Sequence, residues 1–366
     1  MTTSDLASRG TAHAPIVLGP NQPENRPYRG GAGIARFRNA ASSSAFVPED
    51  FVASTTEVHA GGGVGFTILP DGTSLRDAVA ADPVGFLGED HVRAFGAHTM
   101  LLVKLLDTAE RLFVHYHPDD DFAAAHFDGS LGKTEAWIVI DIAHGATGVA
   151  WLGFSRAVGE HELAAWVRGQ NVPDMLGAMN RVELSRGDTL LVPAGSPHAI
   201  GPGLTLVELQ QPTDLSILLE YTGYNGLSEA DAFLGLGLET ALSGLDRRGW
   251  DAHRLDVLTS RRAAAATGEV ERLFPAAADR FFRAERLTVT ESASTESAST
   301  ESASTESASL EPGFSVLIVL EGAGVLGYQG GSIRIARGMT VLTPHGAGEL
   351  EVTGTLTLLR CRPPRA

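Results

Sequence analysis

Apolar positions along the chain recur mostly with period two, in short runs broken by glycine, proline, asparagine and aspartate. Such runs read as strands bounded by turns. In the first half they fall at Ile34 to Phe37, Phe51 to Thr55, Gly65 to Ile68, Leu101 to Leu106, Arg111 to His117, Glu135 to Ile140, Thr189 to Val192 and Leu204 to Gln210. In the last quarter they return at Phe314 to Leu320, Gly324 to Tyr328, Ser332 to Ile335, Met339 to Thr343 and Thr355 to Cys361, alternating with turns as in a small barrel. The phrase Arg337-Gly338-Met-Thr-Val-Leu-Thr-Pro344 repeats the rhythm of Arg186-Gly187-Asp188-Thr-Leu-Leu-Val-Pro193. A duplicated unit is the simplest reading.

Helical spacing is confined to a few places. Leu75 to Ala81 follows an Asp71-Gly72 turn, with Ser74 as N-cap and Pro83 as the stop. Glu160 to Arg168 and Pro173 to Asn180 read as two helices inserted between strands. Ser228 caps a helix expected to run toward Leu245, weakened by Gly235 and Gly237. The expected organisation is a flexible segment 1–30, a first β unit 31–225 with a helical insertion at about 156–182, a helical connection 226–280, and a second β unit 281–366. Thr-Glu-Ser-Ala-Ser repeats four times from Thr290 to Ser309. Small polar residues with periodic glutamate bury too little apolar surface to offset ordering, so 290–309 is expected to be a disordered loop without a function of its own.

The chemistry concentrates between Arg111 and Val139. Residues two apart on a strand share a face, so His115 and His117 project side by side. Glu135 opens the next apolar run, and His198 follows the strand Thr189 to Val192. Three imidazoles and one carboxylate on neighbouring strands make a site suited to zinc, iron, manganese or nickel. His126, His144, His161 and His345 stand alone and are expected to be ordinary side chains. Asp119 and Asp120 read as turn residues placed to orient the histidines.

These motifs, His115-Tyr-His117-Pro-Asp-Asp, Gly132-Lys133-Thr-Glu135-Ala-Trp137, Gly187-Asp188 through Pro193-Ala-Gly195-Ser-Pro-His198 and Glu208-Leu-Gln210-Gln211-Pro-Thr-Asp214, occur in the order found in the type I mannose-6-phosphate isomerases. The chain resembles that family over roughly residues 80–225. The resemblance implies a mainly β fold with helical insertions, made of two cupin (jelly-roll) β-barrels, the first metal-binding and the second degenerate. It implies one zinc ion held by His115, His117, Glu135 and His198, with His115 where the family has glutamine. Glu208 matches the family's acidic residue and is the implied acid/base; Lys133 matches a lysine near the substrate. The implied reaction is interconversion of mannose 6-phosphate and fructose 6-phosphate through an enediol. One departure stands out: the family's catalytic arginine position holds Leu218. Arg156, Arg168 and Arg181 of the insertion are the candidates to compensate. The alternatives are an isomerase of a different or unphosphorylated sugar, an iron-dependent cupin oxygenase, and a non-catalytic sugar-binding protein.

Composition narrows the partners. The formal net charge of −16 over 366 residues argues against nucleic acid or an anionic membrane surface. One cysteine, Cys361, rules out an internal disulfide framework and a thiolate cluster. No run is long and apolar enough to span a membrane, and the first fifteen residues lack the order of a signal peptide, so a cytoplasmic protein acting on a small sugar or sugar phosphate is expected.

Overall fold

The computed structural model describes residues 12–41, 44–59, 61–128, 131–261, 270–290 and 307–366. Its organising element is the strand Leu204–Gln210, every residue of which is buried. It pairs antiparallel with Leu102–Asp107 on one side and Glu135–Ile142 on the other, so that Glu208 lies opposite both Lys104 and Trp137, and Gln210 lies opposite Glu135. Thr189–Val192, Thr259–Ser260 and Glu49–Val52 complete a six-stranded sheet. A second sheet of five strands runs in the order Ile217–Leu218, His115–Tyr116, His198–Ile200, Val149–Phe154 and Met179–Glu183. Apolar residues of both sheets, among them Leu105, Val114, Trp137, Leu152 and Ile217, share one core. The result is a β-sandwich with helices inserted between strands.

The chain from Val270 on supplies seven strands of an eight-stranded sheet, which Ile16–Leu18 completes and which is built on two long strands, Ser315–Tyr328 and Leu350–Arg362, that pair along most of their length. It encloses its own core of Leu287, Leu317, Val319, Leu326, Ile335, Val341 and Leu358. None of the metal-site motifs of the first unit is repeated there, and His345 stands exposed in a single turn.

Several elements depart from the expectations above. Ile34 to Phe37 belongs to an α-helix, Gly33–Arg38, because Ile34 and Phe37 lie three apart and bury one helical face. The N–H groups of Gly33 and Ile34 at its start donate to the Asp107 carboxylate, 2.5 and 3.3 Å away. Ser74 caps Leu75–Ala81 as expected, but Pro83 opens a further helix instead of closing the region. It sits in the first turn of Pro83–Leu87, where its missing N–H costs nothing. Ser228 forms a capping box with Asp231, yet the helix it starts ends after Ala232 and resumes as Leu238–Ser243, since Leu234 and Gly235 take positive φ. Of Arg111 to His117 only His115–Tyr116 is strand; the Val114 N–H leaves the ladder for the Glu220 carboxylate. The second inserted helix is Val172–Gly177, and the chain re-enters the sheet at Met179.

The two ends of the first unit are also tied across the molecule. Residues 12–30, expected to be flexible, are placed: Ile16–Leu18 pairs with Thr340–Leu342 of the second unit, and Arg26 and Tyr28 sink beside the first. Residues 1–11 lie outside the described residues. Thr259–Ser260, inside the expected helical connection, joins the sheet of the first unit through Leu190 and Thr189. For the repeat at 290–309, residues 291–306 lie outside the described residues. Its end is strand: Ser307–Leu310 pairs with the long C-terminal strand and buries Ala308 and Leu310 on alternate positions. Among the described residues no helix is long and apolar enough to cross a membrane.

Candidate metal centre

His115 and His198 are direct partners across an antiparallel ladder, which brings their ring centroids to 4.0 Å. His117, two residues further along, places its ring 5.0 Å from His115 and 4.9 Å from His198. Each ring is fixed through Nδ1 by a backbone carbonyl: Phe113 for His115 at 3.0 Å, Leu215 for His117 at 2.8 Å and Ser196 for His198 at 2.9 Å. A carbonyl only accepts, so Nδ1 carries the proton and Nε2 of each neutral ring presents a lone pair. One ring nitrogen of each histidine lies within 4.8 Å of the others.

Glu135 faces this cluster from the neighbouring sheet. Its Oε2 lies 3.0 Å from His117 Nε2 and its Oε1 lies 3.3 Å from His198 Nε2. The carboxylate is oriented by Trp137 Nε1 and Lys133 Nζ, each at 3.0 Å. All four residues are at least 95% buried. Burial, His198 and His117 hold His115 well below the usual imidazole range, and burial and Lys133 push His117 down to about 3. Burial alone would raise Glu135, but Lys133 and His117 keep it well below the usual carboxylate range. Toward one another the neutral rings and the ionised carboxylate present only acceptors. His117 Nε2 and His198 Nε2 are buried without a hydrogen-bond partner, and Glu135 Oε2 meets the Lys133 ammonium alone. Such a set fits a divalent cation.

A chain of buried charges extends from this centre. Lys133 lies 3.0 Å from Glu135 and 3.9 Å from Glu208; Lys104 lies 3.8 Å from Glu208, 3.5 Å from Asp214 and 3.2 Å from Glu49. Arg26 closes it with a bidentate contact to Asp214 at 3.2 Å and an ion pair to Glu49. Burial would lower the Lys104 ammonium, but Glu49 and Asp214 raise it well above its ordinary value. Burial would likewise raise Asp214, and Arg26 with Lys104 drives it far down. Glu208 goes the other way: burial and the nearby Glu135 push it up to about 7. Its Oε1 is buried without a hydrogen-bond partner.

The structure therefore brings His115, His117, Glu135, His198, Lys133 and Glu208 together. Lys133 is a buried link between Glu135 and Glu208 and not a solvated turn residue. Asp119 caps the helix Asp120–His126, and Asp120 accepts from Gly132 N–H and Gln211 Nε2, so the histidines take their orientation from backbone carbonyls instead. His126, His144 and His161 are exposed and apart from the cluster. The arginines of the insertion expected to compensate are on the surface: Arg156 pairs with Glu162 and Arg181 with Glu183, and Arg168 is exposed. Lys104, Asp214, Glu49 and Arg26 were not singled out from the sequence. Lys104 left a signal there, since a lysine inside an otherwise apolar run must find a carboxylate if the strand is buried.

No family model matches the chain. Two curated relatives, both from Bacillus subtilis, are a probable mannose-6-phosphate isomerase GmuF, 38% identical over 130 residues, and the mannose-6-phosphate isomerase ManA, 35% identical over 137 residues. These matches cover 34% and 36% of this chain and 39% and 42% of the relatives, so the chain spans about two fifths of the length of these two relatives. The crystal structure of the Bacillus subtilis mannose 6-phosphate isomerase superposes with a TM-score of 0.64 at 20% identity, covering 95% of this chain and 99% of that one. Fold and site together define a cupin-type β-sandwich with a buried three-histidine centre, in the architecture of the phosphomannose isomerases. In sequence, about a third of the chain is similar to these two mannose-6-phosphate isomerases.

Proposed function

We propose that this protein is a cytoplasmic, metal-dependent aldose–ketose isomerase of the mannose-6-phosphate isomerase type. The observation that carries this reading is the convergence of three neutral, backbone-anchored imidazoles on an ionised Glu135, with a second carboxylate, Glu208, held near neutrality beside them. His115, His117, Glu135 and His198 would hold the ion, and zinc is the metal that the family likeness favours. When bound, a divalent ion polarises the carbonyl and hydroxyl oxygens of the sugar. The relatives' names give mannose 6-phosphate as their substrate, and an aldose of that configuration with its 2-ketose is the pair assigned to this chain.

Isomerisation of the aldose moves one proton from C2 to C1 and a second from the C2 hydroxyl to the C1 oxygen. A carboxyl group poised near neutral pH can both accept and return the first. Glu208 meets that condition; it takes the C2 proton of the open-chain aldose and delivers it to C1 of the resulting enediol. Lys133 bridges Glu135 and Glu208, keeping the first ionised and the second in reach. Lys104 holds Glu208 from the other side, while Trp137 fixes the Glu135 carboxylate. The first β unit, about residues 31–225, carries the whole site, and the second, about 281–366, packs against it.

The test is turnover in D2O followed by NMR, with metal-loaded protein and the Glu208→Gln variant. Ketose carrying deuterium at C1, lost in the variant while its metal content stays at one per chain, supports the reading. Ketose formed equally by the variant refutes the role of Glu208. Consumption of oxygen in place of ketose formation would favour an iron oxygenase.

A further inference from the structure

We infer that the sugar this site takes is unphosphorylated; the inference rests on the isomerase reading and names its substrate class. Leu218 stands directly opposite His115 in the ladder, and residues paired in this way project to the same face of a sheet. The wall beside the histidines is therefore apolar, and Leu218 is 5% exposed.

Among the described residues, the cations that contact the carboxylates of the site are already engaged, and Arg280, which lines a cleft with Thr134, Gln211 and the carboxylates Asp119, Asp120 and Asp121, stacks on Phe281 with its centre 4.4 Å from the ring. Arg26 is held between Glu49 and Asp214; Lys104 by Glu49, Asp214 and Glu208; Lys133 by Glu135 and Glu208. Three cations face four carboxylates, so the side chains of this network sum to one negative charge when Glu208 is ionised and to none when it is protonated. Arg111, on the strand approach to His115, is spent on a bidentate contact with Glu220. A cleft of about 330 Å3 lies against Asp214 and Leu215, and it is lined by two carboxylates, Glu57 and Asp214, against one guanidinium, Arg76, with His59 beside them. Arg76 stacks on Phe66, with its centre 4.1 Å from the ring, and lies 3.6 Å from Asp77.

A phosphate dianion at C6 needs a cation that is not already neutralised, and desolvating it beside four carboxylates without one is unfavourable. A divalent ion held by His115, His117, Glu135 and His198 would add its charge beside the reacting C1 and C2 oxygens, and C6 is the carbon of the aldose chain most remote from them. A free aldose makes no such demand. Its hydroxyls suit the polar carboxylates and the apolar wall of Leu218 suits its ring.

The experiment measures kcat/KM of the zinc-loaded full chain for mannose and for mannose 6-phosphate, with calorimetric binding of both sugars to Glu208→Gln, which separates recognition from turnover. The expected result is a preference for the free sugar of roughly ten- to hundredfold, the worth of one charge-assisted hydrogen bond. Leu218→Arg should move that ratio toward the phosphate ester. If the variant does not fold, inhibition of the wild type by inorganic phosphate gives a second reading, and the expected outcome is none at millimolar concentration. Preference for the phosphate ester, in turnover or in binding, overturns the inference, as does binding of neither sugar. Binding of free mannose without conversion upholds the substrate class and refutes the isomerase reading instead.

Discussion

Replacing Lys104 by methionine removes one buried charge and keeps most of its stem. The side chain is 2% exposed, with its ammonium 3.2, 3.5 and 3.8 Å from Glu49, Asp214 and Glu208 and 4.6 Å from the centre of the Phe51 ring. Glu49 and Asp214 keep Arg26, whereas Glu208 keeps only the longer contact to Lys133. Removing one partner of a buried ion pair costs about 3–5 kcal/mol, because the other charge stays desolvated. Unfolding entropy scales to about 0.8 kcal/mol/K for a chain of this length, so the loss corresponds to roughly 4–6 °C in Tm. The loss should also depend on pH. Glu208 is already raised to about 7, and the variant raises it further. A carboxyl group raised in the folded state contributes its stability below its unfolded pKa, near 4.3, and loses it as pH rises through the folded value. The deficit of Lys104→Met is therefore expected to be small near pH 5, to reach about 1.4 kcal/mol, or roughly 2 °C, near pH 8, and to become full only above the variant's own folded value. Scanning calorimetry of both proteins at the two pH values is the assay. A shift below about 1 °C at pH 8, or an equal shift at both, would refute the reasoning.

His198→Ala should abolish tight metal binding, seen as loss of the metal-induced rise in Tm; at a free metal concentration a hundredfold above Kd that rise is worth about 2.7 kcal/mol in the wild type. Glu208→Gln should lower kcat by roughly 100- to 10,000-fold while metal content by mass spectrometry is unchanged. Asp246 lies beside Arg248, Arg254 and Trp250, and their hydrogen bonds overcome its burial to hold it down at about 2. Its contribution is present above the unfolded pKa near 3.9 and lost as pH falls through the folded value, so Asp246→Asn should flatten the acid limb of Tm against pH between 4 and 2. Gly153 takes φ of 64°, and a Cβ there would lie 2.4 Å from the Trp250 ring, so Gly153→Ala should destabilise the Val149–Phe154 strand by a few kcal/mol in urea titrations.

Much of the metal centre was legible because period-two spacing alone puts His115 and His117 on one face, and ladder pairing needs only that His198 begin a strand. The strand through Leu204 and Gln210 was legible for the same reason. The carboxylates and cations behind it were not, since Glu49, Lys104, Asp214 and Arg26 meet only through register within one sheet, the loop that follows Gln210 and an N-terminal segment that reads as featureless. Arg26 illustrates the limit: nothing near it in sequence indicates that Glu49 and Asp214 will surround it. Local rules failed where two signals competed. Pro83 can end one helix or begin another, and Asp82 decides by capping Gly85. Ile34 and Phe37 suit a strand in isolation, and the Asp107 carboxylate at the N–H groups of Gly33 and Ile34 favours the helix.

The most direct test of the central claim is a zinc titration of metal-depleted protein while ketose formation from mannose and mannose 6-phosphate is followed. Activity rising linearly and breaking at one equivalent per chain, with no such rise in His117→Ala, is the expected result. Ketose formation indifferent to metal, or no ketose from either sugar at any ratio, would contradict it.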